Sequence, residues 1–170
     1  GTDVLNAISG EVGFLGHSLV DHHFSCYEPL KKELQLIGIQ STVLPIVPFN
    51  MNLTIGKMPD THGVMIYMPE NRLEHYGYSE LCYVFEQFPN LQFHIVANSG
   101  EGAIFEKYRN VTAHGWLDME AMEELYEKIS IVIRFIKHDG LSMSVIEGLI
   151  KGKKVIWNNR YHGVVYAETK

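Results

Sequence analysis

Cysteine is scarce in this sequence: Cys26 and Cys82 are the only two. They stand far apart in unlike contexts and match no metal-ligand spacing. Neither a disulfide framework nor a cysteine-built metal site is therefore expected, and two reduced core thiols suit a cytoplasmic location. No apolar run approaches ~18 residues, which excludes a membrane-spanning helix. The opening, Gly-Thr-Asp-Val-Leu-Asn, has neither the basic nor the apolar region of a secretory signal, and none is expected. Basic residues are also few, 14 Lys and Arg against 20 Asp and Glu, for a net charge of −6. A general nucleic-acid binder needs a basic face, so that class is excluded, although a local basic pocket for one small phosphate ligand is not. What the chain has in quantity is apolar residues: 46% hydrophobic over 170 residues, enough for one globular domain with a sizeable core.

The first 60 residues read as a lead-in and linker. His17–Val20 is a candidate short strand, and residues 26–38 form an amphipathic helix stopped by Gly38. Residues 41–49 read as an edge strand interrupted by Pro45 and Pro48, and 50–63 as a loop. From 61 to 168 the pattern is regular. Strands are expected at 64–68, 91–98, 110–115, 130–136, 153–158 and 163–167, and helices at 78–88, 118–129 and 141–152, with Asp118 as an N-cap. Such alternation predicts an α/β fold: a Rossmann-like parallel sheet with helices on both faces, in a single domain of residues 1–170. Ligands of such sheets sit at the carboxyl ends of the strands. The loops 69–77, 98–103, 114–118 and 136–142 then share that rim. The chain stops soon after a strand with no closing helix, so a longer parent protein is expected.

One stretch on the rim carries most of the chemistry. Asp139 and Glu147 stand eight positions apart, flanking a turn and a helix start. A bland reading exists: Ser144 and Glu147 fit a capping box, and Leu141, Val145 and Leu149 supply a buried face. The functional reading uses the same geometry. A helix opening at the rim offers free N–H groups and a positive dipole end to an anion, with Gly140, Leu141 and Ser142 as donors and the Ser142 and Ser144 hydroxyls beside them. Glu147 would lie roughly 8–12 Å along the helix, at ~1.5 Å per residue, where a carboxylate can accept both hydrogens of a ribose diol. Asp139 would face neutral hydroxyls, away from the phosphate it repels. Ribose, diphosphate and sugar in that order describe a nucleotide-sugar.

The stretch Asp139-Gly140-Leu141-Ser142-Met143-Ser144-Val145-Ile146-Glu147-Gly148, trailed by Gly152-Lys153-Lys154-Val155-Ile156, resembles the donor-site signature of GT-B fold glycosyltransferases of the family 4 (group 1) type, a Glu-x7-Glu motif followed by Gly-Lys-x-Val-Ile. Residues 110–133 resemble the segment of that family whose backbone, here Gly115, Trp116, Leu117 and Asp118, contacts the nucleobase. The resemblance covers roughly residues 60–168. It implies the C-terminal, nucleotide-sugar donor-binding half of a retaining hexosyltransferase, acting in polysaccharide biosynthesis or on another acceptor. Met143 and Ser144 join Glu147 and the 140–142 turn as donor-binding residues. The remaining partner would be an N-terminal acceptor domain of the same full-length chain, with any peripheral membrane contact made through that half. The 170-residue chain by itself is expected to be inactive.

The sequence departs from the family at the first acidic position, which is Asp139 in place of Glu, and after the first strand. There the family holds diphosphate with an Arg and a Lys. Arg72 matches the Arg, while the Lys position carries Tyr76. Arg134, at the end of a central strand, is the expected substitute cation, with Lys137 a weaker one; the alternative for Arg134 is an ion pair with Asp139. Asp139, Arg134 and Arg72 are therefore the candidate catalytic residues. The missing Lys also leaves a second function open, a catalytically degenerate nucleotide-binding or interaction module of the same fold. A nucleotide-sugar epimerase of related architecture is a third. No cofactor or metal is expected: there is no Asp-x-Asp, and Asp21-His22-His23 lacks companion carboxylates. Trp116 and Trp157 both read as packing residues, with Trp116 on the rim and able to flank a base.

Overall fold

In the computed structural model, residues 2–10, 19–45, 55, 58–100 and 104–168 are described. The chain folds as two compact units: residues 1–50 with 138–142, and residues 51–137 with 143–170. Among the described residues no helix is long and apolar enough to cross a membrane.

The N-terminal unit contains α1 (Thr2–Ile8), β1 (Phe24–Ser25), α2 (Glu28–Leu36) and β2 (Thr42–Val43). β1 and β2 are parallel, pairing Phe24 with Thr42 and Ser25 with Val43. Helix α2 starts where expected, with Pro29 in its first turn, where a missing N–H costs nothing. Its Leu34 packs with Val4 and Ile39 in a small core. The strand expected over 41–49 is realised only as Thr42–Val43, and residues 46–49 lie outside the described set. Of the candidate strand 17–20, only Leu19 and Val20 are described, and they form no strand. Half of the loop expected over 50–63, residues 50–54, 56 and 57, also lies outside the described residues, as do 101–103 of the 98–103 loop.

The larger unit carries a six-stranded, all-parallel sheet in the order β5-β4-β3-β6-β7-β8. These strands are β3 (Gly63–Tyr67), β4 (Gln92–Val96), β5 (Val111–Ala113), β6 (Ile129–Arg134), β7 (Lys154–Trp157) and β8 (Val165–Tyr166), joined by α3 (Tyr78–Gln87), α4 (Met119–Lys128) and α5 (Met143–Ile150). Right-handed crossovers with this order place α3 on one face and α4 and α5 on the other. The side chains agree. Leu81 and Phe85 of α3 pack on Val64, Ile66, Phe93, Ile95 and Ile133. On the opposite face α5 approaches so closely that a Cβ on Gly148 would lie 3.0 Å from Val132 and Val155. Alternate residues of β3 and β6 thus face different layers, as period two requires, and each fully buried aliphatic contributes about 1.5–3 kcal/mol.

The loops at the carboxyl ends of β3, β4 and β5 leave on one rim, as the parallel order requires. The segment after β3 is not open coil: Glu70–Tyr76 forms 3-10 turns, kinked at Arg72 and closed by Gly77 at φ +69°. A Cβ at Gly77 would stand 2.7 Å from Phe135 Cβ, so both its backbone angle and its contact demand glycine.

Candidate functional site

A pocket of about 230 Å³ opens at the carboxyl ends of β3 and β4, beside the start of α5. Its walls are Met65, Tyr67, Val96, Ala97, Trp116, Leu117, Met122 and Met143, with Ser144 and Glu147 as the polar contribution beside the Tyr67 hydroxyl. Five of the residues expected from sequence, Trp116, Leu117, Met143, Ser144 and Glu147, meet here. Apolar walls with one carboxylate suit a planar ring bearing hydroxyls at its edge.

Glu147 owes its position to α4 and α5 lying side by side. The buried Tyr126 hydroxyl donates to Glu147 Oε2 at 2.9 Å. Burial, with the neighbouring Glu147 carboxylate, holds the Tyr126 phenol far above its ordinary value, so it is a dedicated donor. One turn further on, Lys151 pairs with Glu123 across the same two helices. The capping-box alternative does not hold. α5 begins at Met143, so Ser144 is its second residue rather than its cap, and Glu147 is engaged with Tyr126.

The helix begins two residues later than expected. The Leu141 N–H, a candidate anion donor, donates to Cys26 Sγ at 3.3 Å within the N-terminal unit. In the same unit the Tyr27 hydroxyl donates to the Asp139 carbonyl (2.8 Å), and His138 Nε2 donates to Glu33 (2.9 Å). Burial first, and then the nearby Glu33 and Asp139, pushes the Tyr27 phenol well up. Asp139, Gly140, Leu141 and Ser142 therefore belong to the N-terminal unit, and Met143, Ser144 and Glu147 to the sheet unit.

On the β5 side, Asp118 caps α4, one of its carboxylate oxygens accepting from the Ala121 N–H at 2.9 Å. Gly115 precedes it in a short antiparallel bridge with Asn98. The two tryptophans diverge. Trp157 is fully buried, as a packing residue should be, whereas Trp116 is 77% exposed and meets the Tyr67 ring edge-on at 6.3 Å. The packing expectation for Trp116 is corrected accordingly: it sits on a loop, outside the alternation that buries Trp157.

The cations lie apart from the pocket lining. Arg72 is exposed at the kink of the 3-10 stretch, and Lys137 is exposed after β6. Arg134 is 6% exposed, its guanidinium 5.4 Å from the Tyr67 ring centre and 4.8 Å from that of Tyr76. Burial, with Tyr76 beside it, raises the Tyr67 phenol, against the opposing effect of Arg134. Two features of the site had little sequence signal. Tyr126 is one more apolar position of α4 until its partner is known. Ala97 takes a left-handed backbone (φ +66°) at the pocket wall, a strained conformation for a residue with a Cβ.

The sheet flanked by helices matches the Rossmann-like fold of GT-B glycosyltransferases. Among solved structures, the chain is similar to a sucrose-phosphate synthase from Thermosynechococcus elongatus (TM-score 0.67, 15% identity, 90% of this chain and 48% of that one). It is similar also to Anabaena HepE, solved with UDP-glucose (0.68, 13%, 92% and 48%), and to the pneumococcal O-GlcNAc transferase GtfA, solved with UDP and GlcNAc (0.62, 13%, 92% and 36%). The chain spans about half or less of the length of each. No protein-family model matches the sequence, and no curated protein matches it either.

Proposed function

We propose that this chain is the nucleotide-sugar donor-binding domain of a retaining glycosyltransferase of the family 4 type, acting with an N-terminal acceptor domain in the cytoplasm. The observation that carries the reading is the convergence of Trp116, Leu117, Met143, Ser144 and Glu147 on one rim pocket, two of them from the nucleobase-contacting segment and three from the acidic motif. Likeness to glycosyltransferases whose structures hold UDP or UDP-glucose supports it. Trp116 and Leu117 flank the base, and Glu147, with one oxygen steadied by Tyr126, accepts the ribose hydroxyls through the other. The start of α5 and Arg134 meet the diphosphate and stabilise the charge that builds on it as the sugar leaves. Asp139 is assigned to the sugar hydroxyls. Binding needs no metal, because the helix end and the guanidinium supply the positive field. Without the acceptor domain, the chain binds donor and transfers nothing.

Calorimetric titration with UDP, GDP and ADP, each with and without its sugar, tests the reading. One of them is expected to bind, in EDTA as well as in magnesium, and Glu147→Ala is expected to weaken it by about 1–3 kcal/mol. Tyr126→Phe separates site from scaffold: it removes the same hydrogen bond yet leaves the carboxylate, so affinity should fall less than in Glu147→Ala. Glu147→Ala binding like the parent would remove the basis of the proposal.

A further inference from the structure

We infer that Tyr67 and Tyr76 form a two-ring cage that fixes the plane of the Arg134 guanidinium, making Tyr76 a positioning residue for diphosphate recognition. The inference rests on the nucleotide-sugar reading above and adds to it a device that the sequence offers only as a missing lysine.

The geometry is that of a corner. The Tyr67 and Tyr76 ring centres are 5.7 Å apart with 65° between their planes, and the Arg134 guanidinium carbon lies within reach of both. A guanidinium is planar and donates from its edges, while its faces stack on aromatic rings. Two rings set at an angle therefore restrict its rotation and dictate where the donating edges point. Arg134 is almost fully buried, so the two rings pack against a side chain that has little room to turn.

The cage is held at both ends of Tyr76. On one side, the Lys137 N–H donates to the His75 carbonyl at 2.9 Å. On the other, Gly77 packs against Phe135 so closely that no side chain fits between them. Residues 75 and 77 are thus clamped to residues 137 and 135, on either side of Tyr76 at the end of the 3-10 stretch and just beyond Arg134, where β6 ends. Tyr67, the last residue of β3, contributes both to the pocket wall and to the cage, and so connects the two. Tyr76 is not part of the pocket lining, so its substitution removes no side chain from the base and ribose pocket, and nucleoside affinity reports whether Tyr67 keeps its place there.

The experiment compares Tyr76→Leu and Tyr76→Phe in the 170-residue chain, titrating the diphosphate that binds among UDP, GDP and ADP against its nucleoside, at low and high salt. Circular dichroism establishes that each variant is folded. Tyr76→Leu is expected to weaken the diphosphate about tenfold, the scale of one desolvated cation–π contact, with nucleoside affinity unchanged and a flatter salt dependence. Tyr76→Phe keeps the ring and is expected to stay within about twofold of the parent. Unaltered diphosphate affinity in Tyr76→Leu overturns the cage, and so does an equal loss in both variants, which would assign the effect to the hydroxyl. Should Tyr76→Leu not fold, Arg134→Lys keeps the charge without the stacking plane, and parental affinity there overturns the inference. A parent chain that binds none of the three diphosphates refutes the donor-site reading itself, a result distinct from any of these.

Discussion

Residues 138–142 and helix α5 follow one another in the chain and carry one acidic residue each, yet they are held by opposite means. The loop is fixed from far away: Glu33, Tyr27 and Cys26 reach His138, Asp139 and Leu141 across sequence separations of 105, 112 and 115 residues. Helix α5 is fixed by its own ladder, by Gly148 against Val132 and Val155, and by Tyr126 only 21 residues away. The acidic motif is thus divided between two units at Ser142 and Met143. A motif that reads as one signal in sequence is positioned by two separate sets of contacts. Each half can then be disturbed without the other.

The strongest test strikes the helix half. Gly148→Leu forces a side chain into a gap where even a Cβ would lie only 3.0 Å from Val132 and Val155. Overpacking of this kind costs about 1–3 kcal/mol, and more where a helix must lift off the sheet. Equilibrium unfolding in urea should register that loss, and nucleotide affinity should fall with it because Glu147 rides on the same turn. A variant as stable as the parent would mean that α5 does not depend on this contact, and the comparison would lose its second term.

The same division explains what the sequence disclosed and what it withheld. Features set by neighbours along the chain were legible: the Asp118 cap, the alternation of β3 to β7, the Gly-Lys turn before β7, and Glu147 on the pocket side of a helix. Those set by distant partners were not. The Leu141 N–H donates to a thiol 115 residues upstream, a partner that no local pattern names. Arg134, Tyr67 and Tyr76 come from three separate segments, so no spacing announces their cage. Helix α1 and the two-residue strands β1 and β2 are too short for periodicity to reveal. His94 and His114, 20 residues apart in the chain, lie side by side because β4 and β5 are neighbours.

Striking the loop half should have a smaller effect on stability. Tyr27→Phe removes the hydroxyl that donates to the Asp139 carbonyl and leaves the ring in its buried place. A single neutral hydrogen bond contributes about 0.5–1.5 kcal/mol net, and the carbonyl left behind is half-buried, so unfolding should move by no more than that. Diphosphate-sugar binding should nonetheless weaken, while binding of the bare diphosphate holds, if Asp139 serves the sugar. Equal effects on both ligands would show that the loop acts as a whole and that Asp139 has no separate part.

The mildest disturbance is pH, followed through one histidine pair of the sheet unit. His94 Nδ1 and His114 Nε2 stand 3.0 Å apart, one donating to the other, so the pair is satisfied only while at least one ring is neutral. Burial lowers both histidines, His114 further depresses His94, and the nearby Lys128 acts on each in the same direction. Between the ordinary histidine value of about 6.5 and the lower folded values, the unfolded chain binds more protons than the folded one, so stability must rise with pH there. The contribution is complete above about 6.5 and is lost as pH falls through the folded range. Urea midpoints measured from about pH 8 to pH 5 should therefore decline below about 6.5, and His94→Leu, which abolishes the pair, should flatten that decline. A midpoint that rises as the solution is acidified has the wrong sign for buried neutral histidines. It would mean that groups other than this pair govern the acid behaviour of the chain.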